Sequence, residues 1–481
     1  MYMKKEKNSL TRNKLGEIVY AGTENASMQS ITDYIDTDYR SYSNYVIRTR
    51  CCPSLCDGLK TTSRKILHTA FSGSLKNGAL KKLLNLSGET MNLALYNHGD
   101  ASLNGGIVTL CQPHNFLLNP LQSAGQVGSL RDPNACASPR YLSIQLSPYA
   151  DIWHTDMDLL KYLNEEGQQV EPKYFLPIIP VVLCNRQIGL APGYRFSNMS
   201  YSPIDIIDAC TDILKQSSSK KSRSTVARVI HPYIRDIAPS QFELSESGQW
   251  INNGAYSINK TRDTVDITDM PFDMDYRTFE KLLNKYIEAG KIKDWKNNSR
   301  FGQINYHITF NRGDLKKLCK TSDSHIVTMF KMKRVVPDDM LWVLDENNKV
   351  KHFDCVNDLV EYFVNWRLTI YGERKSRLVK VLNERLDKNN DLVKFIELVC
   401  KGTLKIRNRS KKDIEQDMKS YKLPVELIST AMSKCTKEER DELLKQNKAL
   451  REQLKYIEAT TTTQMYLNDL KELRKQLDKD F

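Results

Sequence analysis

A chain of 481 residues is longer than one hydrophobic core ordinarily supports, so two to four structural units are expected. Its 40% hydrophobic and 27% charged content excludes a chain dominated by disorder. Lysine and arginine number 71 against 58 acidic residues, and this net charge of +13 favours a polyanionic partner, nucleic acid first, without requiring one.

Residues 1–29 are polar and aperiodic, which predicts a flexible arm. From Ser30 to about Leu146, two helical stretches flank the turn-forming segment Pro53 to Gly58, and a glycine-rich run (Gly99, Gly105, Gly106, Gly125, Gly128) follows. Helix, turn and helix on basic residues suggest a module that enters a nucleic-acid groove. Beyond Val170 the apolar, proline-punctuated run EPKYFLPIIPVVLCN and the alternating QINYHITF predict an α/β unit, with QSSSKKSRS (216–224) as a basic surface loop. After Val356, Tyr371, Leu378, Leu382 and Leu386 recur at helical spacing. A second long helix opens at the capping box Thr436 to Glu439, and its apolar face is expected to run from Leu443 through Leu477. Two such helices, antiparallel, would make one arm, with 402–432 at its tip as a natural dimer contact.

The eleven cysteines are scattered, and Cys51, Cys52 and Cys56 have no second pair at zinc-ligand spacing, so reduced thiols are expected. No apolar run is long enough for a transmembrane helix, and an intracellular protein is expected.

Three constellations carry potential chemistry. Arg48, Arg50, Lys60, Arg64, Lys65 and His68 surround the turn, and the last three share a helix face; they suit phosphate contact, and spacing alone leaves equal room for a solvated basic face. In Tyr96-Asn97-His98-Gly99-Asp100, Asp100 is expected to cap a helix starting at Ala101, a structural role that accounts for the motif locally. In Ser138-Pro139-Arg140-Tyr141, attack on a phosphodiester would require help for a phenol of pKa near ~10 and a cation for the phosphorane charge. Arg140 is such a cation, yet an Arg-Tyr pair in isolation is ordinarily a packing neighbour.

Taken in order, these segments resemble the type IIA topoisomerase cleavage core from about Asp33 to the C-terminus. YSNYVIRTRCCPSLCDGLKTTSRKIL is similar to the family's opening helix and DGLKP-type turn, with Thr61 where the family has proline. YNHGDASLNGGIVTLCQPH resembles its HGD helix, LLNPLQSAGQVGS its glycine-rich loop, and ASPRYLSIQLSP, in a form close to the eukaryotic one, its active-site tyrosine segment. IGLAPGY resembles the segment whose apolar side chain wedges between base pairs, with Leu190 at a position where isoleucine is usual.

The resemblance implies an α+β multidomain homodimer: a winged-helix cleavage domain at 30–160, an α/β tower at 161–350, and a long antiparallel coiled-coil arm at 351–481 with a helical C-gate at its tip. It implies Tyr141 as nucleophile, Arg140 at the scissile phosphate, His98 and Arg50 in the catalytic site, and Lys60, Arg64, Lys65 and Leu190 on double-stranded DNA. It also implies Mg²⁺ and ATP, and neither an EGDSA-like motif nor a DxD pair precedes Asp33. The metal and ATP sites are therefore expected on a separate polypeptide, as in T4-like phages, with the protein working on DNA inside an infected cell. The reading from another class is a non-catalytic DNA-bridging protein; a tyrosine recombinase is disfavoured because Tyr141 lies in the first third of the chain.

Overall fold

A helical run from Ile31 to Cys51, with π-helical turns at Ile35–Tyr39 and Ile47–Cys51, stops because Pro53 holds Cys52 extended at φ −86°, ψ 126°. The computed structural model describes residues 10–12, 18–20 and 30–481, apart from 76–77, 219–227, 301, 321, 338–340, 405–408 and 430–435. Within the expected arm it places two paired antiparallel strands, Leu10–Arg12 and Ile18–Tyr20. The basic loop at 216–224 lies largely outside the described residues.

Three helices follow the turn: Thr61–Thr69, Leu83–Leu93 and Asp100–Leu110. They pack with a three-stranded antiparallel sheet in which Ser143–Leu146 is the central strand between Lys81–Lys82 and Leu121–Ala124. The last helix begins at Asp100 itself, with Gly99 as its cap residue, so Asp100 contributes its charge to the first turn and not the expected side-chain cap.

The main core runs straight through the boundary expected at residue 160. Leu55, Trp153, Phe175, Phe196, Ile206, Leu341, Phe363 and Tyr466 all belong to it. The proline-punctuated run supplies Phe175, Leu176, Ile179 and Val181 to this core, and from Lys173 to Pro180 it forms no strand. Pro177 and Pro180 lack the N–H groups a ladder requires. Among the described residues of 161–350, only about Val265 to Met332 builds a core of its own. There a four-stranded antiparallel sheet, ordered Tyr256–Asn259, Thr264–Ile267, Tyr306–Thr309 and Asp294–Asn297, is backed by the helix Tyr276–Glu288. Asp275 caps that helix by accepting from Thr278 N at 2.7 Å.

The helix Val356–Cys400 has 45 residues and so extends about 67 Å. Lys437–Ala459 runs back along it: Leu443 packs on Val393 and Ile396, Asn447 donates to Asn390 at 2.9 Å, and Lys375 donates to the Glu458 carbonyl at 2.8 Å. Partners that descend along one helix as they climb the other make the pair antiparallel. At its far end Phe395, Leu404, Ile414, Met418 and Leu423 form a small separate core around the helix Lys411–Ser420.

The apolar face expected to continue through Leu477 is instead broken. Thr460 to Thr463 are four β-branched residues in a row, poor helix formers and good caps, and Thr461 accepts from Gln464 N at 3.1 Å to start a new helix, Thr462–Leu477. That helix turns back to the main core, where Tyr466 stacks on Tyr371 with ring centroids 4.6 Å apart. Among the described residues no helix is long and apolar enough to cross a membrane.

Candidate functional site

The turn after Pro53 is built around Asp57, whose side chain is wholly buried. Gly58 takes φ +67°, and a Cβ there would come within 2.7 Å of Val182 N, so only glycine closes the turn against the apolar run. The Asp57 carboxylate accepts from Leu59 N and Phe175 N, each at 3.0 Å, and receives the Arg64 guanidinium at 2.7 and 3.0 Å. Trp153 Nε1 donates to the Asp57 carbonyl at 2.9 Å.

Two of the expected phosphate ligands are consequently turned inward. Arg64 is buried and also donates to the Leu59 carbonyl at 3.1 Å, while the Lys65 ammonium is held by Glu171 at 2.9 Å, Glu165 at 3.2 Å and the Ala94 carbonyl at 2.7 Å. These internal partners satisfy the donors that a shared phosphate-facing helix surface would have offered. Burial raises the Glu171 carboxyl above its ordinary range, and the Lys65 charge pulls it back. Lys60 stays half-exposed and donates to the Ile188 carbonyl at 2.8 Å. Burial lowers its pKa.

Arg50 and His98 do come together. They line a cleft of about 800 Å³ with Tyr45, Thr61 and Ser102, although they lie on the opening helical run and at the start of the third helix. The Tyr45 hydroxyl is 3.3 Å from His98 Nε2, and the Arg50 guanidinium lies 5.8 Å over the Tyr45 ring. Both expected residues are solvent-exposed, so an anion can reach them. Motif comparison did not find Tyr45; its register, five residues before Arg50 on one helical run, is the available signal.

Tyr141 lies outside this cleft, in the single turn of 3₁₀ helix Pro139–Tyr141 that leads into the central strand Ser143–Leu146. Its backbone is held by a bond from Tyr141 N to the Ser138 carbonyl at 2.9 Å and by the neighbouring Leu142, which is fully buried and accepts from Leu83 N at 3.0 Å. Tyr141 is 67% exposed, with the Arg140 guanidinium 5.8 Å from the ring centroid. A pinned backbone under an open hydroxyl suits a nucleophile that must meet a large substrate.

Leu190 stands on the hairpin Gln187–Ala191/Tyr194–Asn198, where it and Ile188 share the solvent face at 70% and 53% exposure. Gly189 between them points at the end of the opening helical run: a Cβ there would lie 2.0 Å from the Cys51 carbonyl oxygen. Two large apolar side chains are thereby raised toward solvent by a backbone pressed against the protein.

The family of the DNA gyrase/topoisomerase IV A-type subunits matches residues 50–474. The chain belongs to this family. The mitochondrial DNA topoisomerase 2 of Dictyostelium discoideum is 28% identical over all of this chain and 38% of its own length, and human DNA topoisomerase 2-beta is 28% identical over 85% of this chain and 25% of its own. The chain thus spans between a quarter and two-fifths of the length of these relatives. The solved DNA-binding, cleavage and re-ligation domain of Plasmodium falciparum topoisomerase II has the same fold, with a TM-score of 0.79 at 24% identity over 93% of this chain and 65% of that one.

The family resemblance implies Mg²⁺. The side chains beside Tyr141 in its turn are Pro139 and Arg140, neither of them a ligand for a hard cation. Among the described residues no three His, Cys, Asp or Glu side chains converge closely enough to hold a metal. The described residues therefore do not fit Mg²⁺ by themselves.

Proposed function

We propose that this chain is the DNA-cleaving and resealing part of an ATP-dependent type IIA topoisomerase, with Tyr141 as its nucleophile. The observation that carries this reading is the exposed Tyr141 phenol on a rigid turn beside Arg140, in a chain of the gyrase A family. The phenol oxygen forms a bond to a backbone phosphorus as it loses its proton, and the bond from phosphorus to the deoxyribose oxygen breaks to leave a hydroxyl. The phosphotyrosyl ester keeps the energy of the phosphodiester, so reversal reseals the strand without a nucleotide being spent in that step. Arg140 offsets charge that builds on the phosphoryl oxygens.

In this reading three helices and a small sheet form a winged-helix unit, the unit around Val265–Met332 is the tower, and the long helix pair is a coiled-coil arm whose tip joins two copies across one duplex. The carboxylates for Mg²⁺ and the ATP site come from a separate polypeptide, as in the split enzymes of T4-like phages, and the working place is the cytoplasm of an infected cell. One strand is cut by each tyrosine, and a second duplex passes through the break.

The test mixes the chain with candidate ATPase and metal-binding partners, Mg²⁺ and duplex DNA, then denatures the mixture to trap covalent adducts. A DNA adduct mapped by mass spectrometry to Tyr141, and absent in Tyr141→Phe, is the expected result. An adduct on another residue, or a Tyr141→Phe chain that still cleaves, overturns the mechanism in favour of a different nucleophile or a scaffolding role.

A further inference from the structure

Beside the hairpin that carries Leu190 lies a second cleft, of about 390 Å³, lined by Arg186 and Ile188 together with Phe272, Asp273 and Asp275. Lys60 and His114 also line it. The Arg186 guanidinium sits 5.2 Å over the Phe272 ring, and among the described residues it has no hydrogen-bond or ion-pair partner. Of the two carboxylates on the rim, Asp273 accepts from Arg334 Nε at 2.9 Å while its charge also favours the Arg186 cation, and Asp275 caps its helix through Thr278.

The electrostatics of the cleft favour an anion. Burial lowers the pKa of Arg186, of Lys60 and of His114, and the neighbouring Arg186 charge depresses His114 further. Both cations are thus less well solvated than in water, and the Asp273 charge offsets this only in part for Arg186. Position then selects among anions. Ile188 lines the cleft and shares a strand face with Leu190, two residues away and so about 6.8 Å along the strand, or about two base-pair rises of duplex DNA.

We propose that Arg186, with Lys60, holds one backbone phosphate of the duplex next to the point where Leu190 enters it, so that the cleft sets the register of the bend. This rests on the reading that the chain grips duplex DNA, and it adds a residue that motif comparison did not single out. The planar guanidinium braced on Phe272 suits two oxygens of one phosphate, while Lys60 acts as a point charge.

The experiment measures binding of the full chain to a fluorescent duplex over a range of salt, with inorganic phosphate titrated separately. Arg186→Gln is expected to lower the slope of log affinity on log salt by about 0.9, so that the loss of affinity between about 50 and 200 mM salt shrinks roughly 3.5-fold. Arg186→Lys is expected to restore the slope. Arg186→Met, which keeps an unbranched stem over Phe272, takes the place of the Gln variant if that chain fails to fold. A wild-type slope in the Gln or Met variant overturns the proposal, as does Arg186-dependent binding of inorganic phosphate with the duplex slope unchanged, which would mark a free-anion site. If the wild-type chain shows no salt-dependent duplex binding, the DNA-gripping reading itself fails.

Discussion

The Arg64 guanidinium grips both carboxylate oxygens of Asp57, Nε to Oδ2 at 2.7 Å and its terminal nitrogen to Oδ1 at 3.0 Å, in a turn where both side chains are sealed from solvent. The same carboxylate accepts two backbone N–H groups, one from Phe175 in the proline-punctuated run. Asp57 therefore ties the DGLK turn to a segment 118 residues downstream. Its removal strands a buried cation and two buried donors together.

Asp57→Ala is accordingly expected to destabilise the chain by about 3–5 kcal/mol in denaturant unfolding. The double variant Asp57→Ala with Arg64→Leu should recover part of that loss, because the uncompensated guanidinium goes with it. A loss below about 1 kcal/mol in the single variant would place the ion pair in solvent, contrary to its burial.

Lys65→Met leaves Glu171 buried without its cation. The Glu171 carboxyl already titrates above its usual range through burial, and without Lys65 it should rise further. A carboxyl whose folded pKa is raised is stabilising in its protonated form and loses that contribution as pH climbs through the folded value. The variant should therefore be most destabilised at neutral pH, with the deficit against wild type shrinking as pH falls toward and below the ordinary carboxyl range. Parallel unfolding curves at all pH values would count against the pairing.

Leu190→Ala removes an exposed side chain, so its cost in fold stability should stay within about 0.5 kcal/mol. Its effect should fall on DNA shape: energy transfer between dyes at the two ends of a bound duplex is expected to report a straighter molecule. Gly189→Ala reaches the same hairpin from beneath, where the new Cβ would meet the Cys51 carbonyl, and it should lose both bending and stability. Unchanged bending in Leu190→Ala would remove the wedge role.

Of the residues that motif order singled out, Tyr141, Arg140, His98, Arg50 and Leu190 are all solvent-exposed, as contact with a large substrate requires. Motif order failed for Arg64 and Lys65, since whether a helical cation faces DNA or core depends on partners that the local spacing does not contain. Lys65 meets Glu171 across 106 residues, and Arg64 meets Asp57 through a turn only glycine can close. The periodicity of the long helices was legible, and so was the Thr436 cap, which accepts from Glu439 N at 3.2 Å. The break at Thr460 was hidden by leucines that keep helical spacing across it, although the threonine run was the available signal. The continuity of the core across 160 was likewise not legible, because Trp153 and Phe175 meet in one core from either side of the boundary that motif order suggested.

Arg140→Ala should leave duplex affinity within a few-fold of wild type, because one exposed phosphate contact contributes modestly to binding. Covalent adduct formation should drop by about 10²–10³, the usual loss when one donor to a developing oxyanion is removed. Arg140→Lys should recover only part, since a point charge does not reproduce the planar fork. Quenched-flow cleavage with candidate ATPase and metal-binding partners present makes the measurement, and an equal loss of binding and cleavage would reassign Arg140 to DNA positioning.

The tip of the helix pair offers the last separable element. Its core of Phe395, Leu404, Ile414, Met418 and Leu423 is distinct from the contacts that hold the pair itself, which include Asn390 to Asn447 and Lys375 to Glu458. Replacing 402–434 by a short glycine-containing turn should therefore keep the antiparallel helices and their circular-dichroism signal. If two copies meet at this tip, sedimentation should then show a monomer that still binds duplex DNA, while double-strand cleavage in the presence of candidate ATPase and metal-binding partners falls to single-strand nicks. A shortened chain that remains dimeric would move the joint between copies elsewhere in the fold.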